Sequence, residues 1–212
     1  SGEVTATHDM DGVSPADVVA AAAGLTGGID QVPPMVSAVK VGGRRLYDVA
    51  REGGEVERTA RPVIVHHFDV APADEPGVYD ISVACSSGTY VRSLAADLGA
   101  ALGGGAHLRN LRRTAVGSFT LDEARPLESP VLLPVAAALR DLPGVSVDEA
   151  AALDVSHGKP MSVEALGLDP ETAGVGPWPV YGPGGDLLAV YELCGDRPGR
   201  VKPAMVLAPA GS

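Results

Sequence analysis

The stretch from Tyr79 to Leu102 changes its period halfway, and that change limits the fold more than any other feature of the chain. Tyr79, Ile81, Val83 and Cys85 alternate with Asp80, Ser82 and Ala84, the spacing of a strand with one face turned inward. From Val91 onward Leu94, Leu98 and Leu102 recur every four residues, the stripe of a helix lying on a core. The joint is Ser86-Ser87-Gly88-Thr89-Tyr90-Val91-Arg92, where Gly88 permits a sharp bend. Tyr90 and Arg92 stand two positions apart at the strand end and would share one face of an extended chain. A ring beside a fixed cation suits a ligand with a flat base and an anion.

Other elements follow from the same patterns. Ser14, Pro15 and Asp17 form a helix start with an N-cap, proline at the first position and an acid at the third, ahead of an Ala-rich run to Thr26. Val63, Val65, Phe68 and Val70 predict a strand that pairs with 79–85 as a hairpin, and adjacent His66 and His67 face opposite sides and cannot chelate together. From Gln31 to Pro62 there is one helix-like stretch, Leu46–Arg51, within a long, basic, thinly cored excursion of the kind that serves function. His107 to Val116 reads as a strand with imperfect alternation. Past residue 126, after Arg125-Pro126 and Ser129-Pro130, a short helix at 147–155 and strands at 178–181, 187–193 and 202–207 predict a small β unit.

The net charge of −11 argues at first against a polyanionic partner. The charges, however, are segregated. Residues 1–34 hold five acids and no Lys or Arg, 35–61 hold six bases against four acids, 62–84 hold four acids and no Lys or Arg, and 85–118 carry Arg92, Arg109, Arg112 and Arg113 against Asp97 alone. Local sign governs attraction within a Debye length of about 8–10 Å, so these basic islands are candidate anion contacts. Cys85 and Cys194 give no disulfide framework or metal spacing and read as buried thiols. No run approaches the roughly 20 apolar residues of a membrane span, and no secretory leader opens the chain, so a cytoplasmic protein is expected.

Several of these residues carry a family resemblance. Gln31-Val32-Pro33-Pro34, Ser37-Ala38-Val39-Lys40, Gly43, Leu46-Tyr47, Ala50-Arg51, Gly53 and Ala60-Arg61-Pro62 resemble the thumb segment of tRNA pseudouridine synthases of the TruB type. Residues 85–92, Asp97-Leu98-Gly99, Gly105-Ala106-His107 and Leu111-Arg112-Arg113 continue the likeness in order. The tail, with His157-Gly158-Lys159-Pro160, Gly185-Asp186-Leu187 and Lys202-Pro203, is similar to a small PUA-like RNA-binding domain. The resemblance implies an α+β fold, a mixed or antiparallel sheet flanked by helices. Residues 1–125 would be part of a catalytic domain with its thumb at about 35–61, followed by a linker at 126–145 and the PUA-like domain at 146–212.

It also implies an activity: isomerisation of a T-loop uridine of tRNA to pseudouridine, with the base flipped out of its stack and with neither cofactor nor metal. Arg92 matches the arginine that pairs with the attacking aspartate, holding that carboxylate ionised. Tyr90 and Leu111 match residues at the flipped uracil. Lys40, Arg44, Arg45, Arg51 and Arg61 would grip phosphates from the thumb, with His107, Arg112 and Arg113 as further RNA contacts. Tyr47 reads as packing within the thumb, and Val36 stands where the family often has an aromatic residue. The family's Gly-x-Leu-Asp-x-x-Ala-Thr-Gly stretch, which carries the aspartate, does not occur in these 212 residues, so the chain by itself is expected to be inactive. A non-catalytic RNA-binding or tRNA-chaperone module on the same scaffold is the alternative. In the tail, 11 acids stand against five bases over 126–212, which weakens its grip on phosphate.

Overall fold

In the computed structural model, residues 6–207 are described, except 38, 55, 172, 196 and 198 and the side chains of Lys40 and Leu46. The chain divides into two compact units, Ser1–Leu111 and Arg112–Ser212.

The first unit is α+β. Its elements are α1 (Pro15–Gly24), β1 (Gly27–Gln31), β2 (Lys40–Val41), β3 (Arg44–Arg45), α2 (Leu46–Arg51), β4 (Arg61–Pro72), β5 (Tyr79–Cys85) and α3 (Val91–Ala101). The sheet runs β1-β4-β5, antiparallel throughout, with Gln31 opposite Arg61 and Val65 opposite Cys85. The expected N-cap opens α1 as a capping box: the Ser14 hydroxyl accepts the Asp17 N–H at 3.3 Å, and the Asp17 carboxylate accepts the Ser14 hydroxyl at 2.6 Å and the Ser14 N–H at 2.9 Å, bonds that hold that carboxyl below its ordinary pKa. Val18 and Ala22 of α1, Val65 and Phe68 of β4, and Leu94 and Leu98 of α3 form the core.

Two details depart from the sequence reading. The register shifts between Val65 and His67, and this bulge exposes both histidines; strict alternation fails there because one extra residue resets the inward face. From His107 to Thr114 there is no strand, only the two-residue β6 (Ala115–Val116), which pairs with β7 (Phe119–Thr120). Residues 105–106, just before this segment, pack against α3 and explain a glycine. A Cβ on Gly99 would come within 2.1 Å of the Ala106 backbone nitrogen, so Asp97-Leu98-Gly99 and Gly105-Ala106-His107 belong to one packing contact.

The second unit holds β6, β7, β8 (Val145–Ser146), α4 (Glu149–Ser156), β9 (Met161–Ser162), β10 (Trp178–Tyr181), β11 (Leu187–Leu193) and β12 (Arg200–Val206). Its sheet is ordered β8-β10-β11-β12-β9, with β8 parallel to β10 and the other pairs antiparallel. Trp178, Val180, Ala189, Tyr191 and Val201 of the sheet are fully buried together with Val155 of α4. Ahead of this sheet, Arg140 forks onto Glu123 with two contacts of 2.6 Å and lies 3.7 Å from the Phe119 ring centroid. Among the described residues, no helix is long and apolar enough to cross a membrane.

Candidate active site

The strand-to-helix joint is built as its composition requires. Gly88 sits at φ +87°, the left-handed region that other residues rarely adopt. Ser86 continues the β4–β5 ladder beyond the strand: its N–H donates to the Ile64 carbonyl at 2.8 Å and its hydroxyl accepts the Ile64 N–H at 3.0 Å. The chain then turns at Tyr90, the N-cap of α3, and Arg92 follows in the first turn.

Tyr90 and Arg92 open onto a cavity of about 580 Å³, completed by Val36, Ser37, Tyr47, Ala50 and Arg51. That volume lies within the range of about 300–1,000 Å³ common for small-ligand sites. One wall comes from the 32–37 segment and α2, the other from the head of α3. Arg92 donates from Nη2 to the Val36 carbonyl at 3.0 Å, and among the described residues no carboxylate pairs with it. The Ser37 hydroxyl is buried and has no hydrogen-bond partner among the described residues.

The thumb cations cluster around one ring. Arg45 donates to the Tyr47 hydroxyl at 2.7 Å with its guanidinium 5.7 Å from the ring centroid, and Arg51 lies 5.6 Å from the same centroid. Arg44 is ion-paired with Glu52 at 2.6 Å, which raises its pKa further. Such an exposed pair contributes little, so a phosphate can displace the carboxylate. A second, more polar cavity of about 620 Å³ is lined by Gly43, Arg44, Arg45, Tyr47, Asp48, Arg51 and Glu52. The structure thus puts Tyr47 in the walls of both cavities, a position that the sequence reading as thumb packing had missed. Its spacing of four from Arg51 along α2 was the available signal.

Other expected contacts are not brought to this place. Leu111 is 65% exposed at the end of the first unit and is not among the residues lining the cavity. His107 and Arg61 are exposed, and Arg112 and Arg113 are exposed residues of the second unit. Lys40 pairs in register with Arg45, and its side chain lies outside the described residues. Among the described residues Cys85 and Cys194 form no disulfide, and both are only half-buried. Among the described residues, no group of three or more His, Cys, Asp or Glu is placed to hold a metal ion. A partial look-alike of the nucleophile stretch, Gly167-Leu168-Asp169-Pro170, falls in the second unit, where the Asp169 carboxylate accepts the Glu171 N–H at 3.0 Å in a local turn.

Comparison with known proteins gives the family. Residues 1–91 match the TruB family pseudouridylate synthase N-terminal domain, and residues 92–139 match the tRNA pseudouridylate synthase B C-terminal domain. The chain therefore belongs to the TruB family of pseudouridine synthases, a class of isomerases. Among individual relatives, the tRNA pseudouridine synthase B of Arthrobacter sp. (strain FB24) is 43% identical over 99% of this chain and 71% of its own length. That of Symbiobacterium thermophilum is 51% identical over 74% of this chain and 55% of its own length. The fold resembles a chain in the "Crystal Structure of a Cbf5-Nop10-Gar1 Complex", with a TM-score of 0.63 and 26% identity over 85% of this chain and 55% of that one. A second likeness, at 21% identity and a TM-score of 0.57, is to a chain in the "Structure of H/ACA RNP bound to a substrate RNA containing 2'-deoxyuridine", covering 93% of this chain and 60% of that one.

Proposed function

We propose that this chain is the base-binding and RNA-gripping part of a cytoplasmic tRNA pseudouridine synthase that isomerises a T-loop uridine. One observation carries the reading: Tyr90, Arg92, Tyr47 and Arg51 line a single cavity, and Arg92 has no carboxylate partner among the described residues. A uracil swung out of its stack would find two aromatic rings there, and stacking on such rings is worth about 1–3 kcal/mol per base. Arg92 would hold the attacking aspartate ionised from 4–6 Å or closer. The N1–C1′ bond breaks, C5 bonds to C1′, the C5 proton leaves and N1 takes up a proton, so the product is an isomer of the substrate. That rearrangement consumes no oxidant, and no residue here is assigned to a cofactor.

Arg45 and Arg51, held on Tyr47, and Arg44, exchangeable from Glu52, would grip the phosphates beside the flipped nucleotide, with Lys40 and Arg61 on the flanking strands. Leu111, His107, Arg112 and Arg113 would join only if the RNA path runs past the end of the first unit. The β8–β12 sheet with α4 would serve as the PUA-like RNA-binding domain over 146–212. The aspartate would come from polypeptide outside these 212 residues, since none of the five-acid set of residues 1–34 lies in the family's nucleophile stretch.

The test is tritium release from a T-stem-loop RNA carrying 5-tritiated uridine. The full-length protein is expected to turn over, the 212-residue chain to be silent, and Arg92→Ala in the full-length protein to lose about 10²–10³-fold in kcat. Turnover by the 212-residue chain would overturn the assignment of the nucleophile. RNA binding by a full-length protein that never releases tritium would favour the non-catalytic module.

A further inference from the structure

Gln31 is 2% exposed, one of the few polar side chains in the interior, and neither a core nor a ligand contact accounts for it. It ends the edge strand β1, and 59 residues along the chain its amide meets the backbone of Tyr90 twice. The Tyr90 N–H donates to Oε1 at 2.7 Å, and Nε2 donates to the Tyr90 carbonyl at 3.2 Å. A single side chain thus does for Tyr90 what a neighbouring strand would do. It matters there because Tyr90 is the N-cap of α3, where an N–H has no partner within the helix, and its carbonyl also receives the first helical bond, from Leu94 at 3.0 Å.

The contact does not stand alone. Immediately after Gln31, the Val32 carbonyl accepts the Ser93 hydroxyl at 3.3 Å, and the Val36 carbonyl accepts Arg92. The Val32–Ser37 segment, one wall of the cavity, is therefore strapped to the head of α3, the other wall, with the buried amide at its root. We infer that Gln31 is a positioning residue: it fixes the backbone from which Tyr90 and Arg92 project and sets the width of the cavity between them and the thumb. The task needs a group with both a donor and an acceptor at that reach; Met and Leu supply neither, and an ionised Glu supplies acceptors only. The inference rests on the proposed synthase activity for its catalytic consequence, and on the hydrogen bonds alone for its structural one.

The experiment uses the full-length protein and two readouts, amide hydrogen exchange and steady-state kinetics on a T-stem-loop RNA. In the unsubstituted protein the Tyr90 amide is expected to exchange at least about 10-fold more slowly than an unprotected amide. In Gln31→Met that protection is lost while amides of β4 and β5 keep theirs, kcat falls about 10- to 100-fold, and KM stays within about 3-fold. Gln31→Glu, assayed above the pH at which its carboxyl ionises, keeps an acceptor for the Tyr90 N–H but sets a second acceptor against the Tyr90 carbonyl, so it is expected to retain that protection while kcat still falls. An unprotected Tyr90 amide in the unsubstituted protein overturns the inference, as does an unchanged kcat in either folded variant. A loss of kcat that follows loss of β4 and β5 protection also overturns it, because Gln31 would then serve folding alone. If Gln31→Met does not fold, the unsubstituted exchange rate and Gln31→Glu decide. If the unsubstituted protein releases no tritium, the activity reading has failed, and the exchange data still show whether Gln31 holds Tyr90.

Discussion

In the second unit Trp178 and Tyr191 are fully buried and each polar tip is bonded to a carbonyl. Trp178 Nε1 donates to Ala173 at 3.1 Å, and the Tyr191 hydroxyl donates to Lys159 at 2.9 Å. In the first unit Tyr47 and Tyr90 are only half-buried and both line the cavity. The hydroxyl of Tyr47 orients a cation and closes no core. The same kind of side chain is thus committed to packing in one unit and left available to a ligand in the other. The contrast extends to polar groups: the interior of the first unit contains Gln31, Ser37 and Ser93 around its cavity, whereas the second unit's core cluster is built of apolar and aromatic side chains.

The largest test of this contrast is Trp178→Ala. It removes the biggest fully buried side chain and is expected to cost about 3–5 kcal/mol. Thermal melting followed by circular dichroism should show a lowered transition for the second unit, and an unchanged melt would erase the distinction. A matched pair comes next. Tyr191→Phe removes the donor of a part-buried bond to the Lys159 carbonyl and should cost about 1 kcal/mol. Tyr47→Phe should leave melting unchanged to within about 0.5 kcal/mol, while T-stem-loop affinity drops about 2- to 5-fold as Arg45 loses its anchor. Equal effects of the two substitutions on stability would contradict the separate uses of tyrosine.

The smallest effect concerns pH. Hydrogen bonding from Arg140 holds the Glu123 carboxyl down at about 2, against an ordinary 4.5. A depressed folded-state pKa contributes stability that is fully present above about 4.5 and is lost as pH falls toward about 2. The pair is partly exposed, so the contribution is small. Fluorescence of Trp178, the only tryptophan, reports the second unit in denaturant titrations at each pH. Glu123→Gln should flatten the slope across that window, and an identical slope would show that the pair contributes nothing.

How much was legible beforehand depended on how local the cause was. The α1 cap, α2, the β4–β5 hairpin, α3, β10 and β11 follow from periodicity and turn residues within a few positions, and they stand where those signals put them. The bulge at His66 and the packing of Gly105 and Ala106 on Gly99 did not follow, because alternation is a property of one strand whereas the ladder and the close approach each belong to two segments. Tyr90 and Arg92 were visible as a pair two positions apart. That Tyr47 and Arg51 meet them across one cavity was not visible, since 39 to 45 residues and the β4–β5 hairpin separate them in the chain.

By itself, then, the sequence determined the alternation and helical stripes, the bend at Gly88, the islands of positive charge and the residues that resemble a pseudouridine synthase, because each depends on residue type and near spacing. Only the tertiary structure decided which of those cations share a surface with an aromatic ring, that Leu111 stays exposed, and that a buried glutamine amide holds the backbone of Tyr90. The reason is physical: a hydrogen bond between residues 59 apart exists only after the chain has closed that loop, and no local propensity records it.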